Sequence, residues 1–272
     1  MTSIATAQHQ AGLVFNQMAS KYDDTFTRSM IGRAQRDAVW RVLTKIFYPG
    51  DHVLELNCGT GEDALFLARN GISVTACDAS EQMVRVAFNR LRTEAPDAPV
   101  KFNLLPTERL HDLQSATLFD GAFSNFSGLN CVADLKKTAD ELAALLPPKA
   151  PLLICLSTRF CLWEMAWFTL HGNLGKAFRR CSGHTLAKVG ELPVNVYYPT
   201  VRKLQTLFSP SFALRSCVGI GVTVPPSYVE TWIRSHPKML NMLRAIDNVV
   251  STCRGIRVLG DHVLLHFERV QS

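Results

Sequence analysis

Apolar side chains in the first third of the chain return at helical spacing and then abruptly at strand spacing. Phe15, Met18, Ala19, Tyr22 and Phe26 share one face of a helix predicted over Gln10 to Phe26. Ile31, Ala34, Ala38, Val42 and Ile46 mark a second amphipathic helix, which Pro49-Gly50-Asp51 ends. The continuous apolar run from Val53 to Leu56 then reads as a buried strand. A helix from Glu62 to Asn70 stops at Gly71, a strand runs from Ser73 to Cys77, and a helix from Ser80 to Arg92 takes Ser80 as its N-cap. Val100–Leu105, Gly121–Ser124 and Leu152–Leu156 are further strands. Leu135–Leu146 is a helix stopped by Pro147-Pro148. Strand and helix alternate, which predicts an α/β fold with a doubly wound parallel sheet.

Beyond Leu156 the rhythm changes. Cys161 to Arg180 is an apolar, aromatic helical stretch, and Val194 to Tyr198 is a short strand. Val201–Phe208 resumes a sheet-packing helix. Phe212–Val218 and His262–Val270 are the last strands, with helices at Ser227–Ser235 and Lys238–Cys253 between them. At 272 residues the chain is expected to be one elaborated domain. Its expected parts are an N-terminal helical cap (1–48), a sheet core (49–158) and insert segments (159–200 and 221–258).

The run Val53-Leu54-Glu55-Leu56-Asn57-Cys58-Gly59-Thr60-Gly61-Glu62-Asp63-Ala64 is a strand, a turn and a helix start. Gly59 and Gly61 allow backbone to approach a ligand, and Asn57 tolerates the positive φ such turns require. Ligands bind at the carboxyl ends of parallel strands in such sheets. Gly59-x-Gly61-x-x-Ala64, with Asp78 downstream, also fits a dinucleotide fingerprint. Glu62 and Asp63 argue against it, because they occupy the helix N-terminus that a pyrophosphate needs. Three carboxylates, with Glu55, suit a ligand bearing an ammonium and a sulfonium, as S-adenosylmethionine does.

That run resembles motif I of the class I S-adenosylmethionine-dependent methyltransferases, with Asn57 where the first glycine usually stands. Val74 to Met83 resembles motif II, and Phe119 to Phe126 resembles motif IV. Phe15 to Asp23 is similar to the entry segment of the ubiquinone/menaquinone-biosynthesis type of small-molecule methyltransferase. The resemblance covers roughly residues 12–156. It implies a Rossmann-like sheet of seven strands with the last, His262–Val270, antiparallel. It implies S-adenosylmethionine as cofactor and methyl transfer to a small molecule.

The same resemblance assigns Glu55 to the methionine ammonium and Asp78 with Ala79 to the ribose. Met83 would lie near the adenine. Pro106 stands near where the adenine-amine Asp is usual, which leaves Thr107, Glu108 or backbone for that contact. Asn57, Gly59, Gly61, Asn125 and Phe126 complete the expected cofactor set, and Tyr22 would lie across the ligand. A core Met and a packing Tyr are the alternatives for Met83 and Tyr22. On the acceptor side Trp163 and Trp167 share a helix face. Glu164, His171 and Tyr198 are the candidate acids or bases. A lid helix packed on the sheet is the alternative there. Cys131 has no sequence support as a nucleophile.

Composition narrows the partners. Apolar residues make up 47%, enough for a core, and no run approaches a membrane span. The net charge of +6 is dispersed, so nucleic acid is not expected. Lys176-Ala177-Phe178-Arg179-Arg180 could approach a membrane, though a solvated helix end is the preferred reading. The eight cysteines form no Cys-x-x-Cys pair, and His262 with His266 lie on a strand, so no metal is expected. Met1 to Gln10 lacks the apolar segment of a signal peptide, so a cytoplasmic monomer or homodimer is expected. The Trp- and Phe-rich variable segment predicts an apolar or aromatic acceptor, methylated on oxygen or carbon before nitrogen. A nicotinamide oxidoreductase and a non-catalytic cofactor-binding protein are the competing functions.

Overall fold

The structure, a computed structural model, describes residues 2–113, 115, 117–189 and 192–271, with side chains from residue 11 onward except that of residue 189. Two helices, α1 (Thr2–Tyr22) and α2 (Met30–Leu43), precede the sheet. Then follow β1 (His52–Leu56), α3 (Glu62–Arg69), β2 (Ser73–Asp78), α4 (Glu81–Glu94), β3 (Val100–Leu104), β4 (Gly121–Ser124), α5 (Leu135–Leu145) and β5 (Pro151–Ser157). The second half holds α6 (Leu162–Leu170), α7 (Leu174–Ala177), β6 (His184–Val189), β7 (Leu192–Tyr197), α8 (Val201–Phe208) and β8 (Phe212–Ile220). It ends with α9 (Glu230–Ser235), α10 (Pro237–Val250) and β9 (His262–Arg269).

Seven strands form one sheet in the order β3-β2-β1-β4-β5-β9-β8. β9 runs antiparallel to both of its neighbours, and the other pairings are parallel. This is the Rossmann-like arrangement the motifs imply, with its antiparallel strand inserted between β5 and β8. The strand order reverses between β1 and β4, and the carboxyl ends there open onto a crevice.

Side-chain alternation along each strand divides the core in two. Leu54, Leu56, Leu152, Ile154, Leu265 and Phe267 join α5 and α8 on one face. Val53, Phe123, Leu153, Cys155 and Leu264 join α2 and α3 on the other. Glu55 shares the second face with Val53. It therefore points toward α2 and α3 and not toward solvent. A smaller cluster packs Ile31 and Ala34 of α2 against Val229 and Ile233 at α9.

The helix ends follow the chemistry read from the sequence. Ser80 accepts the Met83 N–H at 3.1 Å and caps α4. Gly71, with φ +78°, closes the end of α3. The first helix differs from expectation near its end, because Asp23–Thr27 forms a wider π turn.

The largest departure from the sequence pattern is in residues 161–189. The helical stretch expected to Arg180 breaks at Gly172, which takes φ +70°. A short helix and a tight turn over Arg179–Ser182 follow. β6 has no counterpart in the sequence reading. It pairs with β7 as a separate two-stranded hairpin, and its mixed residues His184, Leu186 and Lys188 do not alternate as a half-buried strand should.

In α6 the one buried side chain is Glu164, at 1% exposure. It accepts from Arg179 at 2.7 Å and from Arg180 at 2.8 Å, and Arg180 continues to Asp261 at 2.9 Å. Glu164 is thus an ion-pair anchor that fastens the insert to the end of the sheet. It is not placed as an acid or base. Replacing it with Ala leaves the buried Arg180 short of a partner. The expected result is a loss of about 3 kcal/mol in denaturant unfolding, with affinity for adenosyl ligands unchanged.

Candidate active site

The crevice holds a cavity of about 260 Å³. Its floor is the turn after β1. Asn57, with φ +55°, and Gly59, with φ +54°, adopt the left-handed conformation anticipated for them. A Cβ on Gly59 would meet nothing within 4 Å, so this backbone faces open space. Gly61 differs. A Cβ there would fall 2.8 Å from the Phe102 ring and 2.9 Å from Ala87, and the residue lies outside the cavity wall. Its role is to let α3 start close against α4 and β3.

Asp78 organises the turns. One of its oxygens accepts the Gly59 N–H at 2.8 Å and the other accepts the Ser80 N–H at 2.8 Å. Burial pushes its carboxyl above the usual range, against the downward pull of those backbone bonds. Asp78 lines the cavity together with Ala79 and Met83, and a carboxylate has more acceptor sites than these backbone bonds use.

Glu55 stands one layer behind the wall. It is 1% exposed, and its Oε2 has no hydrogen-bond partner among the described residues. Burial, with Asp63 adding, drives its carboxyl well above the usual range, while Arg36 opposes. A buried carboxyl without a partner is costly unless something bonds it. In front of it Arg36 Nη1 pairs with Asp63 Oδ2 at 2.5 Å, and both line the cavity. Asp63 also accepts from Trp40 at 2.6 Å and from Asn125 at 3.0 Å. Arg36 keeps an unbonded Nε, and its guanidinium lies 5.0 Å from the Phe126 ring centroid.

These pairs correct one electrostatic argument from the sequence. Glu62 and Asp63 do not present bare charge at the start of α3. Arg33 pairs with Glu62 at 2.7 Å, Arg90 pairs with the same carboxylate, and Arg36 neutralises Asp63. The region is a balanced lattice of charges, and the carboxyls left outside its ion pairs are Asp78 and Glu108 on the cavity wall and Glu55 behind it.

The far wall is the loop after β4. Asn125 lies there with its amide committed to Asp63. Phe126 and Ser127 take φ +42° and +69°, a local strain at the cavity edge. Gly128 packs so tightly that a Cβ would fall 2.2 Å from that of Asn57. Asn57 donates to Thr107 at 3.1 Å and accepts from Ser124 at 3.1 Å, so it ties three strand ends together. Thr107 and Glu108 line one side, and burial raises the Glu108 carboxyl.

The roof is α1. Asn16 accepts from Ser80 Oγ at 2.7 Å and from the Gln82 N–H at 3.0 Å. Asp23 accepts from Thr60 at 2.7 Å and pairs with Arg90 at 2.5 Å. These bonds hold Ala11, Phe15 and Tyr22 over the cavity. Burial pushes the Tyr22 phenol to about 12, so it is a neutral hydroxyl at physiological pH. Burial likewise lifts the Cys131 thiol to about 12, which removes it as a nucleophile.

Of the residues singled out from the sequence, Tyr22, Asn57, Gly59, Asp78, Ala79, Met83, Thr107, Glu108, Asn125 and Phe126 meet around this cavity. The acceptor-side candidates do not. His171 ends α6 in solvent, stacked 4.4 Å from the Trp167 ring. Tyr198 lies 5.6 Å over the Arg180 guanidinium and lines a different depression. Trp163 donates to the Thr223 carbonyl at 2.7 Å, away from the cavity. The sequence reading overlooked Arg36, which lies off the apolar stripe of its helix and is buried by tertiary packing. It also overlooked Val194 and Val196, which β7 turns into the cavity beside Cys131 and Val132.

Comparison with known proteins bears on this architecture. A methyltransferase-domain family matches residues 53–149. A demethylmenaquinone methyltransferase of Clavibacter sepedonicus is 35% identical over 150 residues, covering 54% of this chain and 57% of that one. A second, from Leptospira interrogans, is 33% identical over 149 residues, covering 52% and 59%. The chain thus matches a little over half the length of these curated relatives. Among solved structures, the [4+2]-cyclase SpnF superposes with a TM-score of 0.66 at 14% identity, covering 98% of each chain. The N-methyltransferase NodS of Bradyrhizobium japonicum, in complex with S-adenosylhomocysteine, superposes with a TM-score of 0.59 at 11% identity, covering 96% of this chain and 100% of that one. These two likenesses concern the fold alone. The ordered motifs, the methyltransferase domain matched over residues 53–149 and these relatives make the chain similar to the class I S-adenosylmethionine-dependent methyltransferases, among them enzymes of the ubiquinone/menaquinone-biosynthesis type.

Proposed function

We propose that the protein transfers a methyl group from S-adenosylmethionine to a small apolar or aromatic acceptor, on carbon or oxygen. The observation that carries the cofactor assignment is the buried, unbonded Oε2 of Glu55 behind an open glycine turn that Asp78 holds. Such a group fits a ligand ammonium, and the lone pairs on Asp78 fit a ribose diol. Arg36, with its free Nε, fits the ligand carboxylate. Thr107 and Glu108 border the side where an adenine amine needs acceptors.

When bound, the cofactor supplies a sulfonium-activated methyl group. This chain supplies position, a dry pocket and charge balance. Acceptor choice falls to Phe15, Phe126, Cys131, Val132, Val194 and Val196, which give the cavity an apolar side. Among the described cavity residues none is a histidine, and both thiols and the Tyr22 phenol are held protonated. The proton acceptors left on the cavity wall are carboxyls, with burial raising that of Glu108, which suits an electron-rich ring carbon or an already acidic phenol. The names of the relatives support a ring acceptor of the quinol type.

Thermal unfolding tests the cofactor. S-adenosylmethionine or S-adenosylhomocysteine at ~100 times its dissociation constant should add about 2.7 kcal/mol of stability, and NADPH should add nothing. A rise with NADPH alone would support the oxidoreductase instead. Arg36→Met should weaken adenosyl-ligand binding by ~10-fold or more, the scale of losing a charge-assisted hydrogen bond.

Binding should also depend on pH through Glu55. Its raised pKa means that the free protein favours the protonated form, so Glu55 costs stability as pH rises through its folded pKa. A ligand ammonium favours the ionised form, and binding then releases a proton. Affinity should climb as pH rises from the ordinary carboxylate range toward the raised value. Titration calorimetry across pH should show this climb in the wild type and a flatter profile in Glu55→Gln. For the acceptor, hydroquinones and phenols incubated with S-adenosylmethionine should gain one methyl by mass spectrometry. Turnover restricted to nucleic acid or to carboxylic acids would contradict the reading.

A further inference from the structure

α6 is built inside out. Its buried side chain is the carboxylate Glu164, while Leu162, Ala166 and Leu170 form a stripe facing solvent. Leu170 is 84% exposed. The apolar surface continues past the break at Gly172 through Leu174 at 58% and Phe178 at 47%, and reaches Leu186 on β6 at 60%. Exposed leucines on a soluble surface are ordinary when scattered, but a run along successive adjoining elements marks a docking face. The elements do adjoin: α6 packs on α7, and β6 packs on the Arg179–Ser182 turn.

Charge narrows what docks. Between residues 159 and 189 the sequence has one acid, Glu164, and it is spent inside the fold. Arg180 turns inward with it, so the basic cluster of the sequence is smaller on the surface than it reads. Lys176, Lys188, His171 and His184 remain exposed, and Arg179 is 38% exposed. Lys176 Nζ sits 5.5 Å over the Phe168 ring, at the edge of the apolar stripe. Within residues 159–189 the face is therefore apolar with a cationic rim and no exposed carboxylate. A symmetric pair of copies would set these cations against one another. An anionic lipid surface complements them.

We propose that this face, centred on Leu170 and Leu174 with Lys176 and Lys188 at its rim, docks the protein on anionic membrane surfaces. Leu186 stands opposite Asn195, on the outer face of the hairpin whose inner face carries Val194 and Val196 into the cavity, so docking sets the back of one cavity wall against the bilayer. The docking itself does not depend on the methyl-transfer reading.

The test is co-sedimentation of the full chain with vesicles of equal parts phosphatidylcholine and phosphatidylglycerol, and with phosphatidylcholine alone. Binding should favour the anionic vesicles, weaken with added salt, and fall by ~10-fold or more in Leu170→Glu/Leu174→Glu. Lys176→Glu/Lys188→Glu should abolish the preference for anionic lipid. Unfolding temperature and adenosyl-ligand affinity should match wild type in both variants, since these side chains are exposed and none of them lines the cavity. Wild-type protein that fails to sediment, or a leucine variant that sediments as well as wild type, overturns the proposal. So does a concentration-dependent dimer that the leucine substitutions dissolve, because the face would then be a protein interface. Absence of adenosyl-ligand binding would refute the function proposed above and leave this result standing.

Discussion

One carboxylate joins the two halves of the candidate cofactor site. Asp78, at the end of β2, accepts N–H groups from Gly59 in the turn after β1 and from Ser80 at the start of α4. The first turn can then remain open over Gly59, because its backbone is held from the side and not packed from above. The second turn gains a rigid cap, on which Asn16 of α1 also fastens. Without this carboxylate the floor, one wall and the attachment of the roof would lose their common point.

Around that point the fold places more charge than a core normally tolerates. Arg36, Asp63 and Glu55 are each nearly inaccessible, and α2, α3 and β1 bring them together because strand alternation turns Glu55 away from Leu54 and Leu56. Arg36 and Asp63 pair with each other, but Arg36 Nε and Glu55 Oε2 are left unbonded. A buried pair of this kind adds little net stability, and an unbonded carboxyl subtracts from it. The arrangement is economical only if a ligand completes it. Strain at Phe126 and Ser127, on the opposite wall, belongs to the same pattern of local cost at a binding site.

Much of this was legible in the chain. The apolar runs, the glycine turn and Ser80 gave the sheet, the cavity floor and the helix start, because each depends on local chemistry. The antiparallel β9 came from family resemblance and not from periodicity. Three things were hidden for physical reasons. Arg36 reaches the site through tertiary packing of a helix that reads as ordinary and amphipathic. Gly61 looks like Gly59 in sequence, and only the neighbouring Phe102 and Ala87 show that it serves packing. Glu164 looked available on an aromatic helix, but Arg179 and Arg180, fifteen and sixteen residues on, fold back and take it. A helix that buries its acid and exposes its leucines defeats any reading by hydrophobic pattern.

The most direct test of the cofactor site is a crystal structure of the protein grown with S-adenosylhomocysteine. The account predicts a ligand seated over Gly59, with ribose hydroxyls on Asp78, its ammonium directed to Glu55 and its carboxylate to Arg36. A ligand seated elsewhere, or Glu55 still without a partner while the ligand is bound, would contradict it.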